Sequence, residues 1–207
     1  MSTIDSSSPM AGRRGPTEHG VRDQIVEAAR AHFSRFGYGK TTVADLAKAI
    51  GFSKAYIYKF FDSKQAIGQA ICAQTLEQVF ASGKASIAEG KSESDKLRRF
   101  FNGVIAASAE LFFEDKMLYD IAAHAAEERW PSVIAYMERA EETLKAIILA
   151  GRESGEFERK TPIDETCEAI LLAMQSFMNP LMLKHNLKDL PEDPAKVINL
   201  VLRSLAP

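Results

Sequence analysis

At 207 residues, with 46% hydrophobic and 26% charged side chains, the chain is long enough for one large or two small domains around a buried core. No apolar run approaches the roughly 18 residues of a membrane span, the polar N-terminus lacks a signal-peptide core, and Cys72 and Cys167 show neither CxxC spacing nor a histidine cluster. A formal net charge of −2 points to no particular partner, and the expected setting is the cytoplasm, with both thiols reduced and packed.

Residues 1–18, rich in Ser, Gly and Pro and carrying Arg13 and Arg14, read as a flexible basic arm. Such an arm is either a tail of no consequence or a device that puts arginines into a minor groove, where narrow A·T tracts concentrate negative potential. A helix follows over about 20–36, with Val21, Ile25, Ala28, Ala29, Phe33 and Phe36 on one stripe and His32 packed at its border. Thr42 with Asp45 three residues on is a capping-box start, and Val43, Leu46, Ala47 and Ile50 recur at helical spacing behind it. Gly51 supplies the backbone that stops this helix, and Ser53 caps the next. There Ile57, Phe60 and Phe61 gather on one side, leaving Ala55 and Lys59 opposite, with Tyr56 and Tyr58 on the flanks.

Two short helices joined by such a turn form a helix-turn-helix, whose second helix enters the major groove. Lys54 and Lys59 suit phosphate or a guanine edge, Ala55 permits close approach, Tyr56 is a candidate base reader, and Tyr58 a partly packed phosphate donor. Asp62, with Gln65 at the third position, reads as the cap of the following helix, which makes Lys64 a candidate phosphate clamp in its first turn. Residues 1–64 hold ten Lys and Arg against six Asp and Glu, a net of +4, which leaves −6 for the rest of a chain whose total is −2. A basic head on an acidic body suits a module that touches DNA at one end.

The run FGYGKTTVADLAKAIGFSKAYIYKFFDSKQAI resembles the DNA-binding domain of the TetR (tetracycline repressor) family of one-component bacterial regulators, over roughly the first third of the chain. The resemblance implies an N-terminal three-helix head, residues 19–64, and a larger helical effector-binding and dimerisation domain, residues 65–207. It also implies DNA contacts at Thr42, Ser53, Lys54, Ala55, Tyr56, Tyr58, Lys59 and Lys64. Two departures are Ala55, where the family often has glycine, and the bulky Tyr56, so no base preference carries over.

The helix starting at Lys64 joins head to body and is weakened by the glycines at 83 and 90. Further helices are expected over about 95–113, 115–128, 131–153, 164–186 (kinked at Pro180) and 194–205, giving an all-α fold. Stripes of Ala169, Ile170, Ala173, Phe177 and Leu181, and of Val197, Ile198, Val201, Leu202 and Leu205, fit either a homodimeric four-helix interface or packing on the chain's own body. A body pocket for an apolar or amphipathic effector would draw on Phe100, Phe101, Phe112, Met117, Tyr119, His124, Trp130, Tyr136, Met137, Met174 and Met178, each of which also fits as plain core. Tyr119 and His124 would be its polar contacts. No nucleophile elbow, phosphate loop or metal-ligand spacing appears, so neither an enzyme nor a cofactor or metal is expected. The reading is a repressor released from a palindromic operator by a small molecule; the alternative is a DNA-binding regulator governed by a partner protein or by no effector.

Overall fold

Dense apolar residues at 3.6-residue spacing and polar caps at each break build helices throughout the computed structural model, which describes residues 18–207. Residues 1–17 of the expected arm lie outside the described residues, and its last residue, Glu18, already belongs to the first helix. The order is α1 (Glu18–Phe36), α2 (Val43–Ile50), α3 (Lys54–Ile57), α4 (Lys64–Ile87), α5 (Glu93–Glu114), α6 (Lys116–Glu127), α7 (Pro131–Ser154), α8 (Ile163–Met178), α9 (Pro180–Asn186), a 3₁₀ turn at Leu187–Asp189, and α10 (Glu192–Ser204). Among the described residues there is no strand, and no helix is long and apolar enough to cross a membrane.

Two apolar clusters organise these helices. Ile25, Phe33, Leu46, Ile57 and Ile67 centre the head, and Phe100, Phe101, Leu144, Met174 and Ile198 centre the body. The head's core does not stop at residue 64. It takes in Ile71 and Cys72 of α4, Leu118, Ile121 and Ala125 of α6, and Trp130, so α4 and α6 are shared between the two clusters. Further along α4, Val79 and Phe80 belong to the body, and on α6 so does Tyr119.

Local signals explain most boundaries, and a few expectations are corrected. Ser63, not Asp62, caps α4: its hydroxyl accepts from Ala66 N–H at 3.0 Å, from an extended backbone at φ −157°. Gly83 does not weaken α4; a Cβ there would lie 2.5 Å from Val104, so the missing side chain lets α5 pack close. The start of α5 is held by Ser92, which accepts from Asp95 N–H at 3.1 Å, and by the Glu156 carboxylate, which accepts from Glu93 N–H at 3.0 Å and Ser94 N–H at 3.1 Å. These backbone bonds hold the Glu156 carboxyl below its ordinary range.

Pro180 breaks the expected 164–186 helix outright. Proline pushes its predecessor out of the helical region, Asn179 turns to φ −80°, ψ 121°, and its side chain then caps α9 by accepting from Leu181 N–H at 2.9 Å. Of the two stripes offered for dimerisation, Ile170, Phe177, Ile198, Val201 and Leu205 are buried in the chain's own body core. The apolar residues that α8 and α10 leave exposed are Ala169, Leu172, Ala173 and Leu200.

Candidate functional site

The helix-turn-helix is assembled by short-range bonds. Thr42 Oγ1 accepts from Asp45 N–H at 3.2 Å and donates to Asp45 Oδ2 at 2.7 Å, while Thr42 N–H donates to the same carboxylate at 2.8 Å. These bonds hold the exposed Asp45 carboxyl below its usual range. The Thr42 hydroxyl is thus committed to the cap, which leaves it no second proton for DNA. At the other end of α2, Gly51 sits at φ 79°, the left-handed region where a side chain is strained. Ser53 then accepts from Tyr56 N–H at 3.1 Å and opens α3.

Regular α-helix in α3 covers only Lys54–Ile57, after which the chain tightens into turns, with Lys59 N–H on Tyr56 O at 3.2 Å and Phe60 N–H on Ile57 O at 3.0 Å. Ile57 and Phe61 anchor it to the head, while Lys54, Ala55, Tyr58 and Lys59 stand exposed on the other side. The expected roles of the two tyrosines do not match their packing. Tyr56 is half-buried between Phe52 and Phe60, with ring centroids 5.0 and 5.4 Å away, and Tyr58 is the freer, 42% exposed. Lys54 and Lys59 ammonium groups lie 5.7 Å over the rings of Tyr58 and Tyr56, and neither forms an ion pair among the described residues.

Lys64 is not a free clamp. Its ammonium donates to Tyr38 O at 3.0 Å and lies 4.4 Å over the Tyr38 ring, tying the start of α4 to the loop after α1. A hydrogen bond from a charged donor contributes about 1.5–3 kcal/mol. Lys64→Ala should therefore lower unfolding free energy by about 1–3 kcal/mol, whereas exposed Lys59→Ala should change it by less than about 0.5 kcal/mol; denaturant melts of the two variants compare them directly.

Tyr38 is the centre of the joint between head and body. Its ring meets Phe33 at 5.2 Å, His124 at 5.7 Å and Trp130 at 5.9 Å, and Gly68 of α4 faces both larger rings with no room for a Cβ, which would sit 2.9 Å from Tyr38 and 3.0 Å from Trp130. A second tie runs from Ser34 Oγ, which donates to Asp115 Oδ2 at 2.5 Å, while Asp115 Oδ1 caps α6 by accepting from Leu118 N–H at 3.0 Å. Nothing in the sequence links these positions.

The residues expected to line one effector pocket separate into several places. Phe100, Phe101, Trp130 and Met174 are solid core, and half-buried Phe112 packs edge-on against Tyr119 at 4.9 Å. Met117 and His124 border a hollow beside Tyr38 and Lys64, under the head. Tyr119, Tyr136 and Met178 line a narrow cleft of about 40 Å³ with Leu76, Ser108 and Val133. Met137 lies outside it, in a groove of about 550 Å³ between α7 and α8. The groove's acidic side chains give no signal in the sequence, because facing between two separate helices leaves no trace in the periodicity of either.

Two phenols in the cleft differ in kind. Tyr119 donates to Pro180 O at 2.6 Å, and burial pushes its hydroxyl up to about 12. Tyr136 is 7% exposed, has no hydrogen-bond partner among the described residues, and burial raises it further still. The Tyr136 hydroxyl borders the cleft and makes no protein hydrogen bond among the described residues, so deleting it breaks none. Tyr136→Phe should therefore leave unfolding free energy unchanged or raise it by up to about 1 kcal/mol in a thermal or urea melt; a loss above that would reveal a partner for the hydroxyl.

Comparison with known proteins places both parts. Residues 25–71 match the family model for bacterial regulatory proteins of the tetR family, and residues 94–198 that for the tetracyclin repressor-like C-terminal domain. The chain is 43% identical over 47 residues to the biofilm operon icaADBC HTH-type negative transcriptional regulator IcaR of Staphylococcus aureus, covering 23% of this chain and 25% of that protein. It is 38% identical over 60 residues to the HTH-type transcriptional repressor Rv1474c of Mycobacterium tuberculosis, covering 29% and 32%. The matched stretch thus spans about a quarter to a third of these relatives. Among solved structures, the TetR family transcriptional regulator PfmR from Thermus thermophilus is 30% identical with a TM-score of 0.53, over 88% of this chain and 99% of that one. FadR from Bacillus subtilis in complex with stearoyl-CoA is 21% identical with a TM-score of 0.61, over 89% and 97%, a likeness of fold alone.

Proposed function

Since this chain belongs to the TetR family of transcriptional regulators, we propose that it is a homodimeric repressor that grips a palindromic operator and lets go when a small amphipathic molecule enters its body. The observation that carries this reading is the outward face of α3, where Lys54, Ala55, Tyr58 and Lys59 stand exposed on a helix anchored from beneath by Ile57 and Phe61. Lysines there neutralise phosphate, Ala55 lets the backbone approach the groove, and Tyr58 reaches a base or phosphate. Ser53 keeps its hydroxyl proton for a phosphate oxygen, Tyr56 contributes through its rim, and Lys64 has two donors beyond the one held by Tyr38.

One head is too small to be specific alone. Two heads held by a two-fold axis read half-sites about one helical turn, ~34 Å, apart. The exposed strip of Ala169, Leu172, Ala173 and Leu200 on α8 and α10 is the surface that would pair with its copy, burying two leucines that are 61% and 60% exposed in the single chain. Release follows from the shared helices. The cleft is walled by Leu76 and Val79 of α4 and by Tyr119, Ala122 and Ala126 of α6, while other residues of the same helices pack into the head. A molecule that widens the cleft favours a state with α4 and α6 displaced and the heads out of register.

Selection of bound sites from random DNA by the full chain should return a palindrome with half-sites about one turn apart, and sedimentation should show a dimer. Enrichment of no palindrome would overturn the reading. Coupling is reciprocal, so operator DNA must weaken effector binding by the factor with which effector weakens operator binding.

A further inference from the structure

The cleft and the groove adjoin. Ala126, Val133, Met178 and Pro180 line both, so the groove between α7 and α8 is the mouth and the cleft around Tyr119 and Tyr136 the interior. The mouth offers apolar surface that the single chain leaves uncovered, with Ile134 42% exposed and Met137 37% exposed, and on α8 it is bordered by Leu172, which also belongs to the strip proposed to pair with its copy. Its charged lining is one-sided. Glu138 and Glu141 from α7 and Asp164 and Glu168 from α8 face Arg129 as the one cation among the lining residues. Asp164 is paired with Lys145 at 2.5 Å, whereas Glu138, Glu141 and Glu168 form no ion pair among the described residues.

Inside, Tyr136, 7% exposed as a whole residue, lines the cleft, and its hydroxyl makes no hydrogen bond among the described residues. The wall around it is mostly apolar, made of Leu76, Val79, Leu111, Ala122 and Met178, with Ser108 and Tyr119 as the other hydroxyl-bearing residues. At about 40 Å³ the interior has room for little more than a water or two. It must open to take a ligand, which is how occupancy would reach α4 and α6.

We infer that the effector is a cationic amphiphile, its apolar part entering the cleft past Val133 and Met178 and its positive nitrogen held at the mouth by Glu138, Glu141 and Glu168. This rests on the reading of the body as a ligand-responsive module and names the ligand class for it. Carboxylates converging on a groove with a low-dielectric floor concentrate cations and repel anions. A fatty carboxylate, or an acyl chain carrying a polyphosphate, would bring negative charge to that rim.

Three probes with one chain length separate the possibilities: decyltrimethylammonium, decanoate and decanol, titrated below micelle formation into the full chain while the fluorescence of its single tryptophan is followed. Operator affinity is measured in parallel. The ammonium should bind about tenfold or more tighter than decanoate at low salt, the gap should close as salt screens the rim, and it should vanish in Glu138→Gln/Glu141→Gln/Glu168→Gln. Decanoate binding as tightly as the ammonium, or a preference that survives the triple variant, overturns the charge assignment. If decanoate or decanol alone weakens operator binding, the ligand class is wrong and the ligand-responsive reading stands. If none of the three binds, both fall. If the ammonium binds through the three glutamates without changing operator affinity, the site stands and its link to release falls.

Discussion

Replacing Lys54 and Lys59 together with alanine should weaken operator binding by roughly 10²- to 10³-fold near 0.1 M salt and make it far less sensitive to salt. Each neutralised phosphate contributes about 0.9 to the slope of log affinity against log salt, and a dimer presents four such lysines, so the slope should flatten by about 3–4. The loss should fall equally on operator and random DNA, because phosphate carries no sequence information. Stability should hardly change. Both side chains are exposed, and what they leave behind is a contact at 5.7 Å with a tyrosine ring, a weak interaction at an exposed site. Fluorescence anisotropy across a salt series measures the slope. A double variant with an unaltered slope would mean that this face of α3 does not meet DNA, whereas Tyr58→Ala should alter base preference with little effect on salt dependence.

The parts of this molecule that sequence reveals are those decided within one turn of the chain. The Thr42–Asp45 box, the left-handed Gly51 and the Ser53 cap each depend on residues at most four apart, and each forms in the structure. Pro180 is similar in kind, since its effect on Asn179 is local steric exclusion, although the outcome is a break with a fresh cap and not a bend. The choice between Asp62 and Ser63 is harder, because adjacent capping residues compete and the winner is set by which backbone is extended when the head closes.

Where apolar residues go is less legible. Ile170 and Leu172 are two positions apart on α8; one is buried in the body and the other 61% exposed, and periodicity alone does not say which stripe faces the body. Side-chain chemistry without geometry cannot sort a cleft from a core, so core rings such as Phe101 gather with residues that line the cleft, such as Tyr136. Lys64 shows the same limit at a single atom. A lysine in a first helical turn fits an anion clamp, yet its ammonium is engaged by the carbonyl of Tyr38, 26 residues earlier in the chain.

Trp130→Ala should have the largest effect of any change at the joint between head and body. The ring is 2% exposed, meets Tyr38 at 5.9 Å and His124 at 5.6 Å, and lies against the bare backbone of Gly68. Truncating a buried tryptophan costs about 3–5 kcal/mol, a fall of roughly 6–20 °C in melting temperature for a chain of this size. Trp130→Phe should recover most of that, since it keeps an aromatic wall against Tyr38 and discards an indole N–H that has no partner among the described residues. The functional consequence is separate from the stability loss. Trp130 joins the end of α6 to the start of α7, two of the helices that border the cleft, and packs both against α4 where α4 belongs to the head. With the ring gone, movement of α6 has less to push on. Assayed well below its melting temperature, Trp130→Ala should bind effector with near-normal affinity while the factor by which operator weakens that binding shrinks toward one. Titration calorimetry with and without operator measures the factor; if it is unchanged in the folded variant, the signal travels along α4 alone and the ring cluster is only a brace.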